Sequence, residues 1–379
     1  MLNNLKVALV QDWLTELGGA EKVFSTLMAL FPEADVFSLT SHPSVINKLG
    51  INPDKHKDSF IAALPFGRTK YRNYLPLFPK AIESFDLSEY DLVISSSYAV
   101  AKGVLTNNNQ LQICYCHSPM RYAWDLHHQY LHETNLNGLG FKSWYVQHIL
   151  HKLRIWDVVS ANRVDHFIAN SNYIKKRIQK VYRRDAEVIF PPVDTERFVL
   201  KEDKEDFYFT ASRLVPYKKI DLIVKAFSQI PDKKLMVAGT GPDFHKIKAS
   251  VTKTSNIKML GFISDEEMIS YMQKAKAFVF AADEDFGIIP VEAQACGTPV
   301  IALGRGGTKE TVIDGKTGVH FYEQTEKALI GAIQKFENNM DSFDPKIIRQ
   351  NAERFSKKRF SKELEEFVSI KMNLFQNNR

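Results

Sequence analysis

Residues 280–318 read FAADEDFGIIPVEAQACGTPVIALGRGGTKETVIDGKTG, and this stretch decides the fold. An apolar run at 276–281 predicts a strand that leads into an acidic loop at 283–285. A helix is predicted from Ile288, and a second strand is predicted at 299–303. Strands that alternate with helices are typical of a parallel α/β sheet. Because ligands bind at the carboxyl ends of the strands in such a sheet, the acidic loop is the first candidate site.

Two carboxylates eight positions apart flank the phenylalanine-glycine turn in this stretch. Glu284 lies in the loop, and Glu292 lies about one turn inside the helix, since a turn takes ~3.6 residues. The backbone N–H groups of Phe286, Gly287 and Ile288 at the helix start can donate to oxygens. This set suits a polyhydroxylated ligand, because carboxylates accept strong hydrogen bonds from hydroxyl groups. The alternative is a helix start whose acidic residues only complement the helix dipole.

The same residues resemble a known family. The strings E-D-F-G-I-I-P-V-E, A-x-A-C-G-T-P-V-I and G-G-x-x-E-x-V-x-D-G-x-T-G resemble the E-x7-E signature of the family-4 retaining glycosyltransferases. The usual version reads E-G-F-G, so Asp285 stands where glycine is expected. The resemblance implies the α/β GT-B fold, in which two Rossmann-like domains face each other across a crevice.

Length and composition agree with a chain of two domains. Its 379 residues suffice for two domains, and a hydrophobic content of 44% allows each to bury a core. No run reaches the ~18–20 apolar residues that span a bilayer. Cys114, Cys116 and Cys296 form neither a disulfide framework nor a zinc site, and the first two are predicted core residues on one strand face. We therefore expect a cytoplasmic protein.

The net charge of +6 fits an anionic membrane surface or a phosphorylated ligand. Nucleic acid is the weakest candidate partner, because no nucleic-acid-binding motif is visible.

Three parts of the chain are predicted. Residues 1–195 form an N-terminal, acceptor-side Rossmann-like domain, and residues 196–350 form a C-terminal domain that binds a nucleotide sugar. Residues 351–379 form a helix that packs back on the N-terminal domain, as the resemblance implies. The charged stretch 196–206, ERFVLKEDKED, lacks periodicity and is predicted to be the interdomain linker.

A glycine pair follows the first predicted strand, Leu5–Gln11, and precedes a helix at 20–31. A glycine turn at a helix N-terminus can hold a phosphate, although a plain turn is the commoner case. The resemblance implies that Gly18 and Gly19 lie beside the donor phosphate and the acceptor. The pair does not form the G-x-G-x-x-G pattern, which argues against an NAD-type oxidoreductase.

His117 ends the predicted strand QICYCH, where a side chain can reach a ligand. A lone histidine is usually structural, but this one resembles the family's histidine that faces the donor sugar. The string H-S-P-M-R-Y-x-W-D that begins there is similar to bacterial O-antigen and polysaccharide mannosyltransferases. From this similarity, Arg121, Tyr122 and Trp124 are predicted to lie on the acceptor side.

Two further stretches combine aromatic and basic residues, namely 66–85 and the predicted helix 143–162. The first could contact an anionic membrane surface, and the second could contact a membrane or the acceptor. Packing against a core with a solvated basic edge is the alternative for both.

In the second half, Arg213 and Lys218 lie five positions apart around a proline turn after a strand. Two cations at a strand end can neutralise a diphosphate. They resemble the family motif R-L-x-x-x-K-G, with Lys219 where glycine is usual. The glycine turn at Gly261 and Phe262 resembles the one that meets the nucleotide base through backbone groups.

These residues define a predicted chemistry without a cofactor or a metal. The departure of a nucleoside diphosphate needs charge stabilisation, which Arg213, Lys218 and the glycine turns 18–19 and 306–307 can supply. The resemblance implies that Glu284 binds the sugar hydroxyl groups and His117 the sugar ring. It also implies that the amides of Phe286, Gly287 and Ile288 assist, and that Glu292 holds the ribose. The acidic loop 283–285 is therefore not interpreted as a D-x-D metal motif.

The family resemblance implies that the protein is a metal-independent retaining glycosyltransferase. The similarity to the mannosyltransferases implies lipopolysaccharide biosynthesis with GDP-mannose as the donor. Together with the basic-aromatic stretch 66–85, it also implies a polyprenyl-diphosphate-linked glycan as the acceptor and a peripheral position on the inner membrane surface. A UDP-sugar donor, a sugar-nucleotide epimerase and a non-catalytic sugar-binding or membrane-binding module are the alternatives.

Overall fold

The computed structural model describes residues 5–377, except 134, 135, 137, 139 and 252–254. The chain divides into two compact units. The first contains the residues up to Phe190 and those from Ser361 onward, and the second is Pro191–Phe360. Each unit contains one parallel sheet.

The first unit is built on a seven-stranded sheet of order β3-β2-β1-β4-β5-β6-β7, in which every pair of neighbours is parallel. The central strands are buried along their whole length, as the apolar runs in the sequence predict. The strands are β1 (Val7–Gln11), β2 (Asp35–Ser38), β3 (His56–Asp58), β4 (Leu92–Ser97), β5 (Leu111–Cys116), β6 (His166–Ala169) and β7 (Ala186–Val188).

Helices connect these strands, and the Ser171 hydroxyl caps the N-terminus of the sixth one by accepting from Ile174 N. The helices are α1 (Gly19–Leu30), α2 (Pro43–Leu49), α3 (Phe78–Glu83), α4 (His127–Glu133), α5 (Phe141–Ala161) and α6 (Asn172–Tyr182). Cys114 and Cys116 are buried in the core beside α6, which confirms their predicted place.

The second unit is built on a six-stranded parallel sheet of order β10-β9-β8-β11-β12-β13. Its strands are β8 (Glu205–Ala211), β9 (Leu235–Ala238), β10 (Ile257–Gly261), β11 (Ala275–Phe280), β12 (Val300–Leu303) and β13 (Gly318–Phe321). Its helices are α7 (Ile220–Ser228), α8 (Phe244–Ser250), α9 (Asp265–Lys274), α10 (Ile288–Ala295), α11 (Thr308–Thr311), α12 (Glu326–Glu337) and α13 (Pro345–Glu353). The last helix, α14 (Lys357–Asn377), continues from this unit into the first.

Each sheet reverses its strand order at one place. In the first unit the chain leaves β1 toward β2 on one side and returns to β4 on the other. In the second unit it leaves β8 toward β9 and returns to β11 on the other side. Such a reversal opens a crevice at the carboxyl ends of the two strands, where α/β proteins bind ligands.

The predicted domain borders differ from the observed units. The first division lies at Phe190 rather than 195, and the second lies at Phe360 rather than 350. The stretch predicted as a linker belongs to the second unit, because its side chains and backbone are anchored there. Lys204 Nζ donates to the Gln273 carbonyl at 2.9 Å, and Arg349 donates to the Phe198 carbonyl. Of the segment predicted as a C-terminal helix, 351–379, residues 357–377 form α14 and residues 351–353 are the end of α13.

A buried ion pair lies inside the first unit. Lys102 and Asp157 contact each other with at most 1% of either side chain exposed. The Asp157 carboxylate also accepts from Trp124 Nε1 at 2.8 Å and from the Tyr182 hydroxyl. Because an unpaired buried charge is costly, this network fixes the loop of Trp124 against α5 and α6.

Within the described residues, no helix is both long enough and apolar enough to span a membrane.

Candidate active site

Two predicted site residues meet at the carboxyl edge of the second sheet. Lys218, in the loop after β8, forms an ion pair with Glu284, in the loop after β11. Their side chains are 21% and 19% exposed. Since β8 and β11 are the neighbours at which the strand order reverses, the pair lies where such sheets bind ligands.

A glycine turn after β12, Gly306–Gly307, packs against the backbone of the Glu284 loop. A Cβ atom at Gly306 would lie 2.3 Å from the Glu284 carbonyl oxygen, and one at Gly307 would lie 2.2 Å from Phe286 Cα. Gly306 also has φ +64°, a conformation that favours glycine. Gly307 N donates to the Glu284 carbonyl at 2.8 Å. This amide, which the sequence suggested for the diphosphate, instead holds the acidic loop.

A second pair of glycines, Gly239 and Gly241, packs against the backbone of the loop after β8. A Cβ at Gly239 would lie 1.8 Å from the Ser212 carbonyl oxygen, and one at Gly241 would lie 2.4 Å from the Leu214 carbonyl oxygen. Leu214 N in turn donates to the Thr240 carbonyl at 2.8 Å. The loop that carries Arg213 is therefore enclosed by backbone on one side, while its Lys218 end contacts Glu284.

The helix after the acidic loop begins as predicted. Gly287 has φ +82° and precedes α10, so the chain turns sharply before the helix starts at Ile288. Glu292 lies in the second turn of α10 and is only 6% exposed. Phe286 is buried, and its ring packs edge-on to Phe355 with centroids 5.4 Å apart. The turn that carries the predicted amide donors is thus anchored by an aromatic contact.

The two departures from the usual glycines have different consequences. Lys219 takes φ +56° and ψ +31° as the N-cap of α7, which explains why glycine is usual there. Asp285 is half-buried and is not among the non-glycine residues with positive φ, so the backbone accepts a side chain at this position.

Gly261 and Phe262 lie at the edge of the sheet, two strands from β8. The Gly261 carbonyl accepts from Gly239 N at 2.7 Å, and the Phe262 side chain is 82% exposed. This turn is connected to the loop of Arg213 through Gly239.

In the first unit, Asp12 organises the loops at the other strand reversal. It follows β1 directly, is fully buried, and accepts four backbone N–H groups from residues 98–101 at 2.6–2.9 Å. Burial raises the pKa of this carboxyl, and the four hydrogen bonds counter that shift. This role was not predicted from the sequence, although an aspartate directly after a buried strand is a usable signal.

His117 lies at the end of β5, as predicted, and is held in a defined orientation. Its Nε2 is 2.8 Å from the Ser96 hydroxyl, and its ring packs edge-on to Tyr98 and Tyr115. Burial lowers the pKa of His117 to about 3, so the ring is neutral near pH 7. Tyr98 also donates its backbone N–H to Asp12 and packs against Trp13. It therefore joins the end of β5 to the loop after β1.

The glycine pair before α1 is organised by Glu21. Gly18 N donates to Glu21 Oε2 at 2.8 Å, and the Gln11 amide donates to Oε1 at 3.3 Å. The Gly18 amide is thus already used, which leaves the predicted phosphate role to the rest of the turn. Glu21 is 6% exposed, and burial raises its pKa to about 7. An acid three residues after a helix cap is a known capping pattern, so the sequence did contain this signal.

The three predicted acceptor-side residues differ in their surroundings. The Trp124 indole N–H is bound by Asp157 inside the unit. The Tyr122 hydroxyl is buried, and no described residue makes a hydrogen bond with it. Arg121 is half-buried in the turn before α4. Tyr122 is therefore the clearest of the three as a group that a ligand could satisfy.

The described residues contain no group of three or more His, Cys, Asp or Glu side chains that could hold a metal ion.

Comparison with known proteins identifies the kind of protein. The sequence model of Glycosyl transferases group 1 matches residues 193–358, and that of Glycosyltransferase Family 4 matches residues 17–197. Together these matches support a family-4 glycosyltransferase of the GT-B fold.

The curated relatives are partial matches. An uncharacterized glycosyltransferase of Methanocaldococcus jannaschii is 33% identical over 51% of this chain and 55% of its own length. A GDP-mannose-dependent monoacylated alpha-(1-6)-phosphatidylinositol monomannoside mannosyltransferase of Corynebacterium glutamicum is 39% identical over 27% of this chain and 30% of its own length. The chain thus spans about half or less of the length of these relatives.

Solved structures match the fold over nearly the whole chain. Sucrose-phosphate synthase from Thermosynechococcus elongatus has a TM-score of 0.74 at 18% identity and covers 97% of this chain and 100% of its own. Anabaena HepE in complex with UDP-glucose has a TM-score of 0.69 at 19% identity and covers 96% of this chain and 99% of its own. The predicted GT-B architecture of two Rossmann-like domains is therefore confirmed.

The contact between the glycine turn and the acidic loop gives a first prediction. Gly307→Ala places a methyl group against Phe286, so we expect the free energy of unfolding to fall by about 1–3 kcal/mol, measured by urea denaturation. Gly331→Ala is the matched control, because a Cβ there meets no atom within 4 Å and Gly331 lies inside α12. Alanine should be neutral or stabilising by up to about 1 kcal/mol at that position. Equal losses in both variants would contradict the packing argument.

The raised pKa of Glu21 gives a second prediction. The folded chain keeps this proton up to about pH 7, whereas the unfolded chain releases it near 4.5. Its contribution to stability therefore falls as pH rises between these values and stays low above them. We expect Glu21→Gln to gain about 2.5 kcal/mol in unfolding free energy relative to the parent between about pH 5 and about pH 8.

Urea unfolding at both pH values measures this difference. Glu267→Gln is the control, because Glu267 belongs to a capping box on the exposed side of α9. A difference that does not change with pH for Glu21→Gln, or one that changes equally for Glu267→Gln, would refute the role of burial.

Proposed function

We propose that this protein is a retaining glycosyltransferase that transfers mannose from GDP-mannose to a polyprenyl-diphosphate-linked glycan in bacterial surface polysaccharide synthesis. The contact between Lys218 and Glu284 carries this proposal. It joins a cation and a carboxylate at the strand reversal of the second sheet, on the two loops that the family resemblance assigns to the donor.

The pair offers the two groups that a nucleotide sugar requires. The Lys218 ammonium can neutralise the diphosphate as a point charge, and Arg213 on the same loop can add a bidentate contact. The Glu284 carboxylate can accept from sugar hydroxyl groups. In the absence of a donor these opposite charges satisfy each other, so neither is left unpaired in a half-buried place. Cationic stabilisation of the leaving diphosphate would then proceed without a metal.

Glu292 fits a deeper position in the same site. It is almost fully buried in α10, one helical turn beyond the acidic loop. A buried carboxylate that accepts from the ribose hydroxyl groups would hold the nucleoside while Glu284 holds the sugar.

The first unit would supply the sugar-ring contact and the acceptor. His117 is neutral and oriented by Ser96, so it can exchange a hydrogen bond with a sugar hydroxyl without adding a charge. The unsatisfied Tyr122 hydroxyl is a candidate for contact with the acceptor glycan. We propose that the acceptor is presented at the inner surface of the plasma membrane.

The donor base is the part of the proposal with a specific alternative. Relatives in Corynebacterium glutamicum and Mycolicibacterium smegmatis are described as GDP-mannose-dependent, which supports GDP-mannose. HepE was solved with UDP-glucose, which supports a UDP-sugar. A sugar-nucleotide epimerase would differ from both, because it needs no acceptor.

A panel of nucleotide sugars tests the proposal. We expect GDP-mannose to raise the melting temperature of the full chain and to release GDP, with UDP-glucose and UDP-galactose giving smaller effects. Glu284→Gln should lower kcat/KM about 100-fold or more, because a preorganised polar contact is lost.

Glu337→Gln is the matched control for Glu284→Gln. Glu337 is 21% exposed and pairs with Lys276 at 2.9 Å, but it lies at the amino edge of the same sheet. Its variant should keep full activity. Full activity of Glu284→Gln, or loss of activity in EDTA that Mn²⁺ restores, would overturn the donor site as proposed. Conversion of the sugar without an acceptor would identify an epimerase.

A further inference from the structure

We infer that the exposed face of α5 docks on an anionic lipid bilayer. This inference deepens the membrane association proposed above, because it assigns the surface that makes the contact. The face, named here the α5 face, consists of the exposed residues of one helix: Phe141, Lys142, Trp144, Tyr145, His148, His151, Lys152, Ile155 and Val159.

Several large apolar side chains on the α5 face are exposed to solvent. Phe141 is 81% exposed, Trp144 58%, Ile155 54% and Val159 51%. A helix that packs on its own core places such residues inward, and α5 does so with Leu150 and Leu153. The outward apolar residues are therefore additional to the core face. Exposed apolar patches of this kind mark interaction sites.

The aromatic residues on the α5 face form a continuous, preordered row. The rings of Phe141 and Trp144 stack with centroids 6.0 Å apart, and those of Trp144 and His148 stack at 5.5 Å with an interplanar angle of 10°. Rings that are already ordered lose little conformational freedom on binding. Tryptophan and tyrosine are also the residues that favour the headgroup region of a bilayer.

The charges of the face select the lipid. Lys142 and Lys152 are exposed, and no exposed residue of α5 carries a carboxylate. The helix contains a single acidic residue, Asp157, which is fully buried and paired with Lys102. Apolar rings between lysines match an anionic interface, where the ammonium groups reach the headgroups and the rings enter the boundary below them.

The other basic-aromatic stretch, 66–85, is a weaker candidate for the same contact. Its aromatic residues Tyr71 and Phe78 are buried, and Arg68 pairs with Asp58 at 2.7 Å. Phe66 is its most exposed aromatic residue.

Vesicle sedimentation of the full chain tests the inference without donor or acceptor. The vesicles are phosphatidylcholine alone or phosphatidylcholine with phosphatidylglycerol. We expect the parent to bind the anionic vesicles more tightly. Phe141→Ser with Trp144→Ser should weaken that binding about tenfold or more. Lys142→Glu with Lys152→Glu should remove the preference for anionic vesicles, as should high salt.

Matched variants control for general effects. Ile370→Ser removes an apolar residue that is 57% exposed on α14 of the same unit, and Lys246→Glu with Lys248→Glu makes the same charge change on α8. Both should bind as the parent does. Far-UV circular dichroism and light scattering check the fold and the oligomeric state of every variant.

The inference is overturned if the α5 variants bind like the parent, if Phe66→Ser alone removes binding, or if the parent binds neither vesicle. It is also overturned if the parent is a dimer that the α5 variants dissociate, since a second copy would then cover the face. Hydrolysis of the soluble donor is measured in parallel and should be unchanged in the α5 variants. Donor hydrolysis without vesicle binding would refute the inference about the α5 face and leave the proposed function standing. Vesicle binding without donor hydrolysis would refute the proposed function and leave the inference about the α5 face standing.

Discussion

The ion pair between Lys218 and Glu284 joins the loops that leave β8 and β11 and brings two opposite charges together at the carboxyl edge of the second sheet. Each partner is half-buried, so either one alone would be a poorly solvated charge. The surrounding glycines allow backbone segments to approach closely enough to hold both loops. Gly306 and Gly307 support the acidic loop, and Gly239 supports the loop of Arg213. The site is therefore positioned by backbone packing and neutralised by its own side chains.

The first unit handles polar groups at its strand ends in a different way. There, burial suppresses charge: the pKa of His117 falls to about 3, and that of Glu21 rises to about 7. Asp12 is satisfied by four backbone N–H groups rather than by a cation. Neutral, oriented groups suit hydroxyl-rich ligands, whereas the cations of the second unit suit a diphosphate. This contrast fits the proposal that the first unit binds the acceptor and the second unit binds the donor.

The sequence predicted the alternation of strands and helices well, because buried parallel strands are continuous apolar runs in the sequence. Residues at strand ends, including Lys218 and Glu284, were also predictable, since their spacing follows the sheet. The linker at 196–206 was not, because its anchoring by Arg349 and Lys204 depends on contacts distant in the chain. The positive φ of Lys219 and the hydrogen bond from the Gly307 amide to the Glu284 carbonyl likewise could be seen only in the structure.

The most direct test of the central claim separates the two halves of the donor by calorimetry. Binding of GDP and of GDP-mannose is measured for the parent, Lys218→Met, Glu284→Gln and the double variant. If Lys218 binds the diphosphate and Glu284 binds the sugar, Lys218→Met lowers the affinity for both ligands. Glu284→Gln then lowers the affinity for GDP-mannose and leaves the affinity for GDP nearly unchanged. The account is contradicted if GDP-mannose binds both single variants as tightly as the parent.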